Sequence, residues 1–126
     1  MTWKWEQATG TLWMDGKKIS SGYSGNGRGK NNPSMQAAKA VGPIPRGKWK
    51  MVEVYNSPNT GPFTIRLEAV DGTPDDVHQA TGRSAFRIHG DSIKNPGTAS
   101  HGCIILPRSV RERMWYSGDR MVEVKG

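Results

Sequence analysis

Cysteine is almost missing from this chain: Cys103 is the only one in 126 residues. A single thiol excludes an internal disulfide and any zinc site built from several cysteines. Long apolar runs are missing as well. No stretch approaches the roughly 20 consecutive apolar residues that a membrane-spanning helix requires. The start, Met1-Thr2-Trp3-Lys4-Trp5-Glu6, has no apolar segment of the kind that directs secretion. Acidic residues are in deficit, 11 against 18 Lys and Arg, which leaves a formal charge of +7. There is no internal repeat, low-complexity tract or composition shift to mark a linker. Residues 1–126 therefore read as one domain, of a size that normally holds a single core.

Glycine and proline are abundant, 16 and 8 residues, which argues against a helix bundle and for short strands joined by turns. Trp3 and Trp5 alternate with Lys4 and Glu6, the period of a half-buried strand. A second run begins at Leu12-Trp13-Met14, Asp15-Gly16 favours a type I′ hairpin, and Lys17 to Tyr23 returns as a third strand. Gly25 to Pro33 reads as a mobile surface loop, because its glycines match a phosphate-binding turn poorly. Ser34 to Val41 has room for one or two helical turns, and Gly42 to Gly47 is a proline-stiffened turn. Lys48 to Tyr55 is the next strand, where Trp49 and Met51 on one parity with Val52 and Val54 on the other predict a bulge or a strand buried on both faces. Phe63, Ile65, Leu67 and Ala69 alternate cleanly with polar residues. A turn follows over residues 71–76, then short strands at Phe86–Ile88, Ile104–Leu106 and Met121–Val124, with a helix over Pro107–Trp115. About eight short strands with one helix make a mainly β domain, a sandwich or barrel.

The chemistry concentrates in Arg87-Ile88-His89-Gly90-Asp91 and Ser100-His101-Gly102-Cys103-Ile104. A thiol attacks a carbonyl as thiolate, and an imidazole nearby can take its proton and later hand it to a leaving amine. Gly102, without a Cβ, lets the backbone turn amides toward an oxyanion. Spacing leaves open whether His89 or His101 is the base. It also leaves open the plain alternative, Cys103 as a small buried hydrophobe ahead of Ile104-Ile105-Leu106. A metal set of His89, Asp91, His101 and Cys103 is a further alternative, although its spacings are unusual for zinc. The charge and five tryptophans would also suit a nucleic-acid-binding module, but no recognition helix or aromatic RNA-binding signature accompanies them. His78 reads as a surface turn residue.

His89-Gly90 followed by Ser100-His101-Gly102-Cys103-Ile104 resembles the signature of the L,D-transpeptidase (YkuD-like) family, and Gly42-Pro43-Ile44-Pro45-Arg46-Gly47-Lys48-Trp49 is similar to a strand start of that family. The short chain and Asn31-Asn32-Pro33 resemble its compact branch, which includes antibacterial effectors delivered by type VI secretion. The resemblance implies a β-sandwich of short, mostly antiparallel strands. It implies Cys103 as nucleophile, His89 as general base oriented by the Gly90 carbonyl, and His101 as a supporting histidine. Gly102 and Cys103 would supply oxyanion-hole amides, and Ser100 would hold the turn. Ile105 stands where mainstream members often carry Arg or Asn, and the loop from His89 to Cys103 is short for the family. The implied substrate is a peptidoglycan stem peptide, cleaved between diaminopimelate and D-alanine through a thioester that passes to an amine or to water. Candidate substrate contacts are Arg87, Tyr23, Trp49 and Arg108, with Trp13 and Trp115 as further candidates for a glycan groove. No metal or cofactor is implied, and no nucleic acid. Action would be in the periplasm or cell wall. Without a signal peptide, the routes are truncation of a longer chain, export by a secretion machine, or release in phage lysis, and the compact-branch resemblance favours the second. An immunity protein in the producing cell would follow. A catalytically inactive peptidoglycan-binding relative is a further alternative.

Overall fold

A computed structural model describes residues 2–72 and 77–126. Strands β1 (Trp3–Glu6), β2 (Thr11–Met14) and β3 (Lys17–Ser21) form the expected meander. Trp3 and Trp5 are buried and Lys4 between them is exposed, as alternation dictates. Asp15 and Gly16 both take positive φ, 52° and 76°, the type I′ geometry that matches strand twist. The third strand expected as far as Tyr23 is broken in two. After Gly22 the chain continues as β4 (Tyr23–Ser24), which pairs with a different neighbour.

β5 (Gly47–Ser57) and β6 (Gly61–Ala69) are the long central hairpin. The expected bulge is present: Met51 faces Leu67 but Glu53 faces Arg66, so one residue of β5 is extra. β7 (Arg87–His89), β8 (Ile104–Ile105), helix α1 (Arg108–Tyr116) and β9 (Met121–Lys125) complete the chain. Pro107 precedes the first turn of α1, where its missing N–H costs nothing. Between Ser34 and Val41 a 3₁₀ turn over Pro33–Met35 and further turns replace the expected helical turns. Of the turn expected over 71–76, residues 73–76 lie outside the described residues.

The strands join in the order β3-β2-β1-β9-β5-β6-β7-β8-β4. Among the described residues, only β1–β9 and β7–β8 are parallel. The two edge strands, β3 and β4, are separated in sequence by Gly22 alone, whose amide donates to the Gly10 carbonyl at 2.7 Å. The sheet's two edges are thereby drawn together, and the sheet doubles back to enclose one core. Trp3, Trp5, Leu12, Trp49, Met51, Ile65, Leu67, Ile88, Ile104, Val122 and Val124 meet there, with Met114 of α1. This is the mainly β, mostly antiparallel architecture expected from the sequence. It places β7 and β8 side by side near one edge, in parallel register with Ile88 opposite Ile104 and His89 opposite Ile105.

Candidate functional site

β7 and β8 carry the two chemically suggestive segments. Ile88 and Ile104 point into the core, and Cys103, the residue before β8, ends the turn that leads into the strand beside His89. Cys103 is half-buried, and its Sγ donates to the Ala85 carbonyl at 3.7 Å. Ala85 itself has φ 64°, a left-handed conformation uncommon outside glycine. Cys103 lines a cavity of about 330 Å³ together with His101, Gly102, Arg83, Phe86 and Lys39. It is therefore not the enclosed small hydrophobe of the plain reading.

The turn leading to Cys103 is held from inside. Ser100 is fully buried, and its Oγ donates to the Cys103 carbonyl at 2.6 Å while accepting from the amides of Gly25 (2.8 Å) and Gly102 (3.1 Å). Ser100 thus ties the Cys103 carbonyl to the amide of the preceding residue. The same bond corrects one expectation: the Gly102 amide, expected to face an oxyanion, is occupied by Ser100. Ser24 Oγ accepts from the Ile44 amide and donates to the Gly102 carbonyl at 2.9 Å. Asn26 Nδ2 donates to the carbonyls of Ala40 and Ser100. The glycine-rich segment read as a mobile surface loop is thus partly interior, since Gly25 and Gly29 are buried and Asn26 ties it to the site.

His89 is 4 % exposed, and its Nδ1 lies 2.9 Å from the Gly90 carbonyl. A carbonyl only accepts, so Nδ1 carries the hydrogen and Nε2 keeps its lone pair. Burial, opposed by that hydrogen bond and assisted by the charge of Arg111, holds His89 below its ordinary pKa, so it is neutral at neutral pH. A neutral imidazole with a fixed tautomer is the form a general base requires. His89 does not line the Cys103 cavity, whereas His101 does. His101 is exposed, and its Nδ1–H donates to the Ala40 carbonyl at 3.2 Å.

Two buried arginines that local pattern did not single out flank this pair. Arg83, 4 % exposed, donates to the carbonyls of Gln36 (2.6 Å), Pro43 (2.7 Å), Gly42 (3.0 Å) and His101 (3.2 Å). Arg111 of α1, 3 % exposed, donates to the carbonyls of Phe63, Leu106 and Pro62, and a Cβ on Gly90 would lie 3.0 Å from it. Neither is the solvated charge that arginine usually is. Only the folded chain could reveal them, because their acceptors are backbone carbonyls from distant segments.

The expected substrate contacts do not gather at the cavity. Trp49 is a correction: it is 2 % exposed, its Nε1–H donates to the Pro45 carbonyl, and it packs against Phe86 and His78, so it offers no surface to a ligand. His78 is accordingly half-buried rather than a plain surface residue. Tyr23 lines a separate hollow of about 190 Å³ with Asp91 and Ile105. Its hydroxyl donates to Asp91 at 2.5 Å and accepts from the Ala99 amide, and burial with that hydrogen bond pushes its pKa up to about 12. Arg87 donates to Tyr55 Oη and to the Phe86 carbonyl. Arg108 is exposed on α1, 3.7 Å from Glu112 and over the Phe63 ring. Trp13 and Trp115 are half-buried, and neither lines this cavity. Ile105 is 3 % exposed and pairs with Tyr23. Among the described residues, no three His, Cys, Asp or Glu side chains are grouped to hold a metal ion, so His89, Asp91, His101 and Cys103 do not form a metal set. No helix among them is long and apolar enough to cross a membrane.

The family model of the Tlde1 domain matches residues 18–125. Among solved structures, the chain is similar to an L,D-transpeptidase (Yku) from Stackebrandtia nassauensis, at 20 % identity and a TM-score of 0.55. That likeness covers 99 % of this chain and 55 % of the other, so the chain spans about half the length of that relative. No curated protein matches the sequence. Together these findings bear out the resemblance to the L,D-transpeptidase family and its compact effector branch.

Proposed function

The chain belongs to the Tlde1 domain family, and on that premise we propose that it is a cysteine enzyme acting on peptidoglycan stem peptides, with Cys103 as nucleophile and His89 as general base. The observation that carries the reading is a half-buried cysteine on the wall of a cationic cavity, leading into the strand beside a buried, neutral, tautomer-fixed histidine. The Cys103 thiolate attacks the carbonyl of the diaminopimelate–D-alanine bond, and the tetrahedral adduct collapses with release of D-alanine as its amine accepts a proton from the imidazolium. The thioester then passes to an amine, giving a crosslink or an exchanged D-amino acid, or to water, giving carboxypeptidase activity. Lys39 on the cavity wall suits the carboxylates of the stem peptide. His101 keeps the Ala40 segment against the catalytic turn.

The reaction belongs in the periplasm or cell wall, where an effector would meet its substrate. A producing cell then requires an immunity protein that covers the cavity. Incubation with disaccharide-tetrapeptide, followed by mass spectrometry for D-alanine, tests the chemistry; release that persists in Cys103→Ala refutes it. Expression with and without a periplasmic leader tests the effector role, and equal harmlessness in both compartments refutes that part.

A further inference from the structure

Arg83 shares the wall of the cavity with Cys103. Its guanidinium rests directly on the backbone of Gly102, where a Cβ would come within 2.5 Å of Nη2 and 2.9 Å of the Phe86 ring. Gly102 has φ 134°, a conformation that side-chain-bearing residues rarely adopt, so glycine is what permits this approach. The guanidinium also lies over the Phe86 ring, 5.0 Å from its centroid. Among the described residues, all four acceptors of Arg83 are neutral carbonyls, so there its positive charge is solvated by dipoles and not cancelled by a carboxylate. Water screens a charge at 4 % exposure poorly.

We propose that Arg83 is the positioning residue that keeps Cys103 as a thiolate in the resting protein, so that thiol activation does not depend on an ion pair with His89. The inference rests on the proposed nucleophilic role of Cys103. Among the described residues, five groups bear on that sulfur. Arg83 is a buried, permanent cation on the adjoining residue's backbone. Lys39 and His101 line the same cavity but are exposed, so solvent weakens their influence. His89 on the neighbouring strand is held neutral by burial and contributes no charge. The Ala85 carbonyl favours the thiol, but through a weak S–H donor at 3.7 Å. A full charge in a poorly screened setting outweighs it. The coupling is also visible from the other side: burial lowers the pKa of Arg83, and the Cys103 charge opposes that fall. In this arrangement the thiolate is already formed, and His89 Nε2 takes up a proton from solvent and hands it to the departing D-alanine amine as the tetrahedral adduct collapses.

Cys103 is the only cysteine, so its alkylation rate can be followed without ambiguity. The rate of reaction with iodoacetamide is measured from mildly acidic to alkaline pH in the wild type, Arg83→Met, Arg83→Lys and His89→Ala, with folding checked by circular dichroism. The expected wild-type midpoint lies about one unit or more below the ordinary thiol value near 8.5. Arg83→Met moves it up toward that value and slows alkylation at neutral pH about tenfold. Arg83→Lys, which keeps the cation, restores part of the shift. His89→Ala leaves the midpoint low while abolishing D-alanine release. A wild-type midpoint at the ordinary value overturns the proposal, as does a His89→Ala midpoint that rises to it. Should Arg83→Met fail to fold, the wild type and His89→Ala decide. An ordinary midpoint alongside Cys103-dependent D-alanine release refutes the role of Arg83 and leaves the proposed function standing.

Discussion

Ser100→Ala is the sharpest probe of how the catalytic turn is held. The hydroxyl is fully buried and serves three backbone groups: it donates to the Cys103 carbonyl and accepts from the amides of Gly25 and Gly102. Alanine keeps the Cβ and removes all three bonds. Gly25 and Gly102 are themselves buried, so both amides lose their acceptor where water does not easily replace it. Leaving a buried polar group unsatisfied costs about 1–3 kcal/mol. Cys103 is half-buried and its carbonyl can recover part of its loss from solvent. Two amides at the lower end plus a fraction for the carbonyl give about 2–4 kcal/mol. For a domain of this size about 1 kcal/mol lowers Tm by roughly 3–5 °C, so Ser100→Ala should melt about 10 °C below the wild type. Thermal unfolding followed by circular dichroism measures this, with exposed Ser109→Ala as a control expected within about 0.5 kcal/mol. A Ser100→Ala protein that melts with the control would refute the account of Ser100 as the internal support of the turn.

Three further outcomes follow from the same geometry. Gly102→Ala forces a Cβ against the Arg83 guanidinium and the Phe86 ring at φ 134°, and strain of that kind alone costs about 1–3 kcal/mol. Urea denaturation should show a loss of at least about 2 kcal/mol, and a midpoint equal to the wild type's would count against the close approach. Burial lowers the pKa of His89 below 6.5, so the unfolded chain binds its proton first. Stability is then full above the unfolded value and is lost as pH falls through the lower folded one. His78, also lowered by burial, acts with the same sign. His89→Gln should flatten the fall of the urea midpoint below about pH 6.5, the ordinary histidine value, and an unchanged slope would refute the assignment. Tyr23 ionises at about 12, so an absorbance titration of the phenols should contain a late step that Tyr23→Phe removes; retention of that step would exclude the Tyr23–Asp91 bond as its cause.

Much of the fold was legible because it rests on local patterning. Trp3, Trp5, Phe63, Ile65, Leu67 and Ala69 alternate with polar residues and are buried on schedule. Asp15-Gly16 could make little except a tight primed turn, and the parity conflict at Val52 and Val54 announced the bulge in β5. What did not show was the break at Gly22, because the residues from Lys17 to Tyr23 carry no sign that consecutive pieces serve opposite edges of a sheet. The site divides in the same way. The His89 and Cys103 segments stand out through residue chemistry. Trp49 was misjudged because a tryptophan before a lysine in a turn-flanked strand has the same local look whether it faces core or groove. Arg83 and Arg111 were illegible for a stronger reason: each is bound through backbone carbonyls, and every residue offers the same carbonyl.

That difference in legibility reflects a physical requirement of the site. A cation beside a nucleophilic sulfur must not be neutralised by a nearby carboxylate, or its field on the thiol would vanish. Burying an unpaired guanidinium is costly unless dipoles replace its hydration. Four carbonyls drawn from residues 36, 42, 43 and 101 meet both conditions, because they satisfy N–H donors without cancelling charge. The segment over 36–43 supplies three of them, and its Ala40 also accepts from Asn26 and His101. The proline-stiffened turn at Gly42-Pro43 is therefore more than a connection between strands: it fixes carbonyls that could not otherwise be aimed from a loose loop. The formal charge of +7 alone says little about where charge acts. One buried guanidinium, held by backbone alone against Gly102, places a positive charge where the proposed reaction begins.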